Sequence, residues 1–218
     1  MITRSEENYL KTIFHLSKNE EESVSTNAIA DVLETKASSV TDMLKKLSEK
    51  DLVDYKKYQG ATLTKLGKRT AAGIVRKHRL WEVFLVDKLN FSWDEVHDVA
   101  EQLEHIKSEK LIEELDILLD YPTVDPHGDP IPDKDGNIKP LDKVLLSTCK
   151  KDEKGICVGV NSTSTEFLQY LDKLEIALGS TIVVLDKEPF DGSFVIELNE
   201  RKINISALTA NNIYIKKT

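Results

Sequence analysis

The spacing of apolar side chains predicts helices in the first half of the chain. Apolar residues recur every three or four positions over 5–17, 26–33, 38–50, 64–89, 95–108 and 109–119. A polar break at 18–23 separates the first two of these segments. After the third, LVDYKKY and ATLT alternate and flank Gln59 and Gly60, which predicts a β-hairpin. Ser5 is the expected N-cap of the first helix, and Ser92 or Asp94 that of the fifth.

The second half changes character after a proline-rich stretch. Residues 121–140 hold five of the six prolines, which predicts a stiff loop or linker. Beyond it, strand candidates surround one short amphipathic segment, TEFLQYLDKL; they are KGICVGVN, STIVVLD, SFVIELN, KINIS and NIYIKK. This pattern predicts a small antiparallel barrel or sandwich. The fold class is therefore mainly α with a small β part, in three regions: 1–70, 71–140 (which includes the proline-rich linker) and 141–218.

Composition excludes several classes of protein. The chain has 218 residues, of which 40% are hydrophobic, enough to build cores. No apolar run approaches the roughly 18–20 residues that span a bilayer, and the polar N-terminus is unlike a signal peptide. Cys149 and Cys157 are the only cysteines, which excludes a disulfide framework and a four-cysteine zinc site. We expect a cytoplasmic protein without a membrane partner.

The charge is unevenly distributed along the chain. The net charge is −8, yet positions 36–69 carry nine Lys and Arg against four Asp and Glu. Residues 71–140 carry 16 acidic residues against 8 basic ones. A basic patch followed by an acidic block indicates two partners of opposite charge.

Helix, short turn, helix and hairpin is the order of a winged helix-turn-helix, whose second helix enters the major groove of DNA. On residues 38–50, Val40, Met43, Leu44 and Leu47 form the buried stripe. The candidate DNA contacts lie outside this stripe, before it and on the hairpin: Lys36, Ser38, Ser39, Thr41, Asp42, Lys45, Lys46, Lys57 and Tyr58. The alternatives are a solvated helix face and a winged helix that binds another protein.

The stretch HDVAEQLEH carries candidate metal ligands. At about 100° per residue, His97, Glu101, Glu104 and His105 fall within one arc, opposite an apolar face. Imidazole nitrogen and carboxylate oxygen suit a divalent manganese, iron or zinc ion. His78 and Glu82, spaced i, i+4 on the preceding helix, could close the site. The alternative is a salt-bridged, solvated helix face, and His15 and His127 are interpreted as structural.

Five motifs together resemble the diphtheria-toxin-repressor and manganese-transport-regulator family of metal-dependent transcriptional regulators. They are ENYLKTIF near the start, SSVTDMLKKL in the second helix of the motif, RKHRLWE before residue 83, HDVAEQLEH at 97–105 and DPHGDPIP at 125–132. The resemblance implies a winged helix-turn-helix, a helical dimerisation and metal-binding domain and an SH3-like C-terminal domain. It implies a homodimer that binds operator DNA when loaded with Mn(II) or Fe(II) and represses metal-uptake genes.

The resemblance also implies two sets of metal ligands. The primary site would use Glu101, Glu104 and His105 with Asn8 from the N-terminal helix, at a position where relatives tend to have Met or Asp. Lys11 stands where the manganese regulators have a second acid. The ancillary site would use His78, Glu82 and His97, completed by the C-terminal domain; Glu166 aligns with one ligand there, and Thr163 replaces an expected acid.

Two other functions remain open at this point. A metal-dependent hydrolase would also use His and Glu clusters, which activate water. A metal-independent winged-helix regulator would use the acidic block only as a dimer surface. A turnover assay and the metal content of the purified protein distinguish them from a metal-activated repressor.

Overall fold

A computed structural model describes residues 2–17 and 23–218, so most of the polar break predicted at 18–23 lies outside the described residues. The chain divides into two compact units. The first comprises residues up to 81 with 100–115 and 131–138, and the second comprises 82–99, 116–130 and 139–218. Three helices have residues in both units: α4 (Lys65–Leu89), α5 (Val96–Leu103) and α6 (Glu109–Leu118).

The first unit contains the predicted helices and hairpin in the predicted order. These elements are α1 (Arg4–Leu16), α2 (Thr26–Val32), α3 (Ala37–Glu49), β1 (Val53–Lys56) and β2 (Gly60–Leu63). Each helix buries its apolar stripe in one shared core, which includes Leu10 and Ile13 of α1 and Leu44 and Leu47 of α3. This arrangement confirms the expected winged helix-turn-helix.

The first helix begins two residues earlier than the predicted N-cap implies. Thr3, not Ser5, is the N-cap, and its hydroxyl accepts a hydrogen bond from the backbone N–H of Glu6. The Glu6 carboxylate in turn accepts one from the Thr3 N–H at 2.9 Å, which completes a capping box. The reciprocal pair satisfies two backbone donors that a helix start leaves free.

The hairpin is joined by a short third strand segment. Val53 lies opposite Leu63 in the antiparallel β1–β2 pair, and Val24 exchanges two backbone hydrogen bonds with Ala61, at 2.8 and 2.9 Å. Gly60 has φ +92°, and a Cβ there would lie 2.4 Å from the Val24 carbonyl oxygen. Only glycine fits this close approach, which holds the wing, close to its tip, to the segment before α2.

The second unit contains a six-stranded antiparallel sheet with the order β3-β8-β4-β5-β6-β7. Its strands are β3 (Val144–Leu145), β4 (Lys154–Val160), β5 (Thr181–Lys187), β6 (Phe194–Leu198), β7 (Arg201–Ile205) and β8 (Ile213–Lys217). Helices α7 (Thr165–Leu174) and α8 (Ala207–Ala210) complete it, and buried aliphatic side chains such as Ile182 and Ile196 form its core. The predicted C-terminal β region is confirmed. Within the described parts of the chain, no helix is both long and apolar enough to cross a membrane.

Candidate functional site

A first group of ligand-type side chains lies at the end of α5. Glu101, Glu104 and His105 each offer one ligand atom, and these atoms lie within 4.8 Å of one another. The helix ends at Leu103 instead of the predicted Ser108, but the Glu104 N–H still donates to the Ala100 carbonyl at 2.9 Å. The helical turn therefore continues far enough to bring the three side chains to one side. We call these residues, with Asn8 of α1, the primary cluster.

Three atoms of the primary cluster are buried without a hydrogen-bond partner among the described residues. They are Asn8 Oδ1, Glu104 Oε1 and His105 Nε2. A buried polar atom without a partner is costly, and native structures contain few of them. All three carry lone pairs that a divalent cation would accept, so the residues present fit a metal ion.

The orientation of His105 is set by an acid on α1. His105 Nδ1 lies 2.6 Å from Glu7 Oε2, and both side chains are largely buried. A carboxylate accepts, so Nδ1 is the donor and Nε2 is the nitrogen that is left to face a metal ion. Metal-binding histidines usually have their second nitrogen fixed in this way. No local sequence pattern marks Glu7, because its partner is 98 positions away.

Glu104 is held in its charged form by two neighbours. Its Oε2 lies 2.7 Å from His78 Nδ1 and 2.6 Å from Lys11 Nζ. Burial by itself would raise the pKa of the Glu104 carboxyl, but the hydrogen bond from His78 and the charge of Lys11 outweigh it and lower the pKa. The carboxylate is thus ready to act as a ligand.

A second group of ligand-type side chains lies within the second unit. Glu82 of α4 and the loop residues Asp125 and His127 are buried, and each places one ligand atom within 4.8 Å of the others. His127 Nε2 lies 2.7 Å from the Trp93 carbonyl oxygen, so Nε2 donates and Nδ1 faces Glu82. Burial opposes protonation of His127, but the hydrogen bond and charge of Glu82 dominate and raise its pKa. We call these three residues the second cluster.

The local sequence DPHGD builds the loop that presents this cluster. The Asp125 Oδ1 accepts hydrogen bonds from the backbone N–H groups of His127 and Asp129, at 2.8 and 3.0 Å. Gly128 has φ +82°, and a Cβ there would lie 2.0 Å from the Val158 carbonyl oxygen. His127 was expected to be structural, although its motif is part of the family resemblance. Helical periodicity gives no information about a side chain in a loop.

Of the residues expected at the ancillary site, Glu82 and His97 both lie in the second unit. Glu82 belongs to the second cluster, and His97 Nδ1 lies 3.6 Å from Glu82 Oε1. His78 hydrogen-bonds Glu104 of the primary cluster. Glu166 is exposed in the first turn of α7, and no ligand group found among the described residues includes it.

The expected DNA-contacting residues lie on the solvent side of α3 and at the hairpin tip. Eight of them are exposed: Lys36, Ser38, Ser39, Asp42, Lys45, Lys46, Lys57 and Tyr58. Thr41 is half-buried, and its hydroxyl donates to the Ala37 carbonyl at 3.0 Å, which leaves its oxygen as an acceptor. Lys57 Nζ lies 5.0 Å from the centre of the Tyr58 ring, a cation–π contact at the tip of the wing.

A winged helix together with buried carboxylate–imidazole clusters defines a metal-responsive DNA-binding regulator, and sequence comparison agrees. Three family models match: "Iron dependent repressor, N-terminal DNA binding domain" over residues 1–61, "Iron dependent repressor, metal binding and dimerisation domain" over 64–133, and "FeoA domain" over 144–217.

Individual relatives give the same result. The HTH-type transcriptional regulator MntR of Oceanobacillus iheyensis is 32% identical over 66% of this chain and 91% of its own length. The diphtheria toxin repressor of Corynebacterium diphtheriae is 29% identical over 97% of this chain and 96% of its own. The solved structure of a manganese-dependent transcriptional repressor in complex with manganese has a TM-score of 0.88 and 34% identity, covering 97% of this chain and 99% of that one. The chain belongs to the diphtheria-toxin-repressor and manganese-transport-regulator family of metal-dependent transcriptional regulators.

Proposed function

We propose that this protein is a repressor that Mn(II) or Fe(II) activates, and that it binds operator DNA as a homodimer in the cytoplasm and controls metal-ion homeostasis genes. The observation that carries the proposal is the set of three buried, unpartnered ligand atoms on Asn8, Glu104 and His105. In a regulator without a metal, these atoms would cost stability and gain nothing. The family consists of DNA-binding repressors, which removes the hydrolase alternative.

The position of the primary cluster links metal binding to DNA binding. Asn8 lies on α1, which shares its apolar core with the recognition helix α3. Glu101, Glu104 and His105 lie in the region matched by the metal-binding and dimerisation model. A divalent cation held there would supply the positive charge that both sets of ligands need. It would thereby fix residues 1–70, which we propose bind DNA, to the dimerisation helices of 71–140. Residues 141–218 are the proposed SH3-like domain.

The metal dependence can be tested on DNA from the protein's own promoter region. We expect a gel shift with Mn(II) or Fe(II) that a chelator abolishes, and no metal-dependent shift with Glu104→Gln or Glu101→Gln. Glu113→Gln removes an equally charged, exposed side chain from α6 and should leave the shift unchanged. Unchanged metal dependence in Glu104→Gln would contradict the proposal, as would equal DNA binding by the metal-free and metal-loaded wild type.

The second cluster is the proposed ancillary metal site. The family resemblance implies His78, Glu82, His97 and Glu166 as ligands of this site. Of these four residues, Glu82 is also a member of the second cluster. Asp125 and His127 support this placement because they are buried beside Glu82. We expect two metal ions per chain by elemental analysis after dialysis, and one in His127→Ala. Two ions in that variant would place the second ion elsewhere.

A further inference from the structure

Lys11 lies inside the primary cluster although it cannot bind a metal ion. It follows Asn8 by three positions on α1, so both side chains leave the same face of the helix. Its Nζ lies 2.5 Å from Glu101 Oε2 and 2.6 Å from Glu104 Oε2, and its side chain is only 13% exposed. A lysine charge is rarely buried to this extent unless it is paired. Here it is paired with two of the proposed metal ligands.

We propose that the Lys11 ammonium is a tethered cation that occupies the metal-free primary cluster and that an arriving metal ion must displace. The inference rests on the proposed metal site. Without a positive charge, the carboxylates of Glu101 and Glu104 would repel each other in a poorly solvated environment. A lysine fits this role because its flexible stem carries a compact charge with three donors, enough to reach both acids.

The contacts of Lys11 indicate that a metal ion would displace its ammonium group from the primary cluster and would not share the cluster with it. Lys11 engages one oxygen of each carboxylate, whereas Glu104 Oε1 and His105 Nε2 have no hydrogen-bond partner among the described residues and lie 3.8 Å from each other. A divalent ion that uses Glu101 and Glu104 together would be brought close to the ammonium, and like charges at such a distance repel strongly. Lys11 therefore stabilises the metal-free protein and weakens its apparent metal affinity.

Lys11→Met keeps the apolar stem and removes the charge. We expect it to lower the melting temperature of the metal-free protein by about 5 °C or more, because the buried carboxylate of Glu104 and the half-buried one of Glu101 lose their shared counter-ion. We also expect Mn(II) to bind the primary cluster about tenfold more tightly or better by isothermal titration calorimetry. The primary-cluster isotherm is the one that Glu104→Gln removes. Lys11→Arg keeps the cation and should stay within about threefold of the wild-type affinity.

A second lysine provides a matched control. Lys50 Nζ lies 2.6 Å from Glu6 Oε1. Glu6 is on α1, as Lys11 is, but neither Glu6 nor Lys50 belongs to a candidate ligand group among the described residues. Lys50→Met should therefore leave the Mn(II) affinity unchanged. Equal or weaker Mn(II) binding by Lys11→Met would overturn the inference while the proposed function stands. An equal gain in Lys50→Met would also overturn it, because the effect would then be general electrostatics. If neither the wild type nor any variant bound Mn(II) at the primary cluster, both the inference and the proposed function would fail.

Discussion

At the scale of single residues, the primary cluster depends on which nitrogen of His105 carries a proton. Glu7 accepts from Nδ1, so the unpartnered Nε2 is the nitrogen available to a metal ion. Asn8 follows Glu7 directly in α1. Two consecutive residues of one helix thus serve the site in different ways, one by orienting a ligand and the other as a candidate ligand.

Removing Glu7 should therefore weaken metal binding without removing a ligand. We expect Glu7→Ala to lower Mn(II) affinity by roughly 10–100-fold in a calorimetric titration, since His105 loses the group that fixes its proton and its ring orientation. Glu6→Ala is the control: it removes the neighbouring acid, which pairs with Lys50, and should reduce stability but not Mn(II) affinity. Unchanged affinity in Glu7→Ala would mean that the hydrogen bond only stabilises the fold.

Local spacing predicted the candidate ligands that share a helix. Only the family resemblance pointed to Asn8 and Lys11, which the fold brings to them, and neither the spacing nor the resemblance marked Glu7. Glu101, Glu104 and His105 are found by counting 100° per residue along α5. Glu7 and Lys11 meet these residues from about 90 positions away, and no local pattern contains such a contact. Asp125 and His127 lie in a turn, where no periodicity operates, and only the motif DPHGDPIP marked them.

At the scale of elements, the two faces of α3 differ: one packs into the core, and the other carries the residues that could bind DNA. Val40, Leu44 and Leu47 are buried in the core of the first unit, whereas Lys45 and Lys46 project into solvent. The apolar period predicted this division and the course of the long helices. The apolar period did not predict β3 and α8, because elements of two and four residues are too short to show a complete period.

The exposed lysines of α3 should contribute affinity and not sequence preference. Because phosphate contacts release counter-ions and carry no base information, Lys45→Ala with Lys46→Ala should weaken binding to operator and random DNA alike. The slope of log affinity against log salt should fall by about 1 per lysine in fluorescence anisotropy titrations. Lys202→Ala with Lys216→Ala removes two exposed charges from the C-terminal sheet and should change neither. Loss of operator binding alone in the α3 variant would assign these lysines to base recognition.

At the scale of the whole molecule, exposed apolar side chains near the end of α6 add to the predicted dimer surface. The apolar stripe Val96, Val99, Leu103 and Ile106 and the apolar-rich segment LWEVFLV at 80–86 predict that the helices between about 71 and 120 form the dimer. Within the single chain, however, Val96, Leu80 and Leu85 are already buried, so they build the core of one protomer. Ile117, Leu118 and Tyr121 remain 53%, 59% and 62% exposed near the end of α6. Exposed apolar side chains that cluster are typical of interfaces.

Light scattering should therefore show a stable dimer at micromolar concentration in the presence of metal, and Ile117→Lys with Leu118→Lys should make it a monomer. The variant should retain Mn(II) binding at the primary cluster but lose operator binding, because a two-fold dimer contacts two half-sites about one helical turn of DNA apart. Leu208→Lys replaces a side chain that is 73% exposed in α8 and should leave the dimer intact. A monomeric wild type would refute the dimer itself. If the double variant remained a dimer, the interface would not lie at the end of α6. If a monomeric variant bound the operator, DNA binding would not require the dimer.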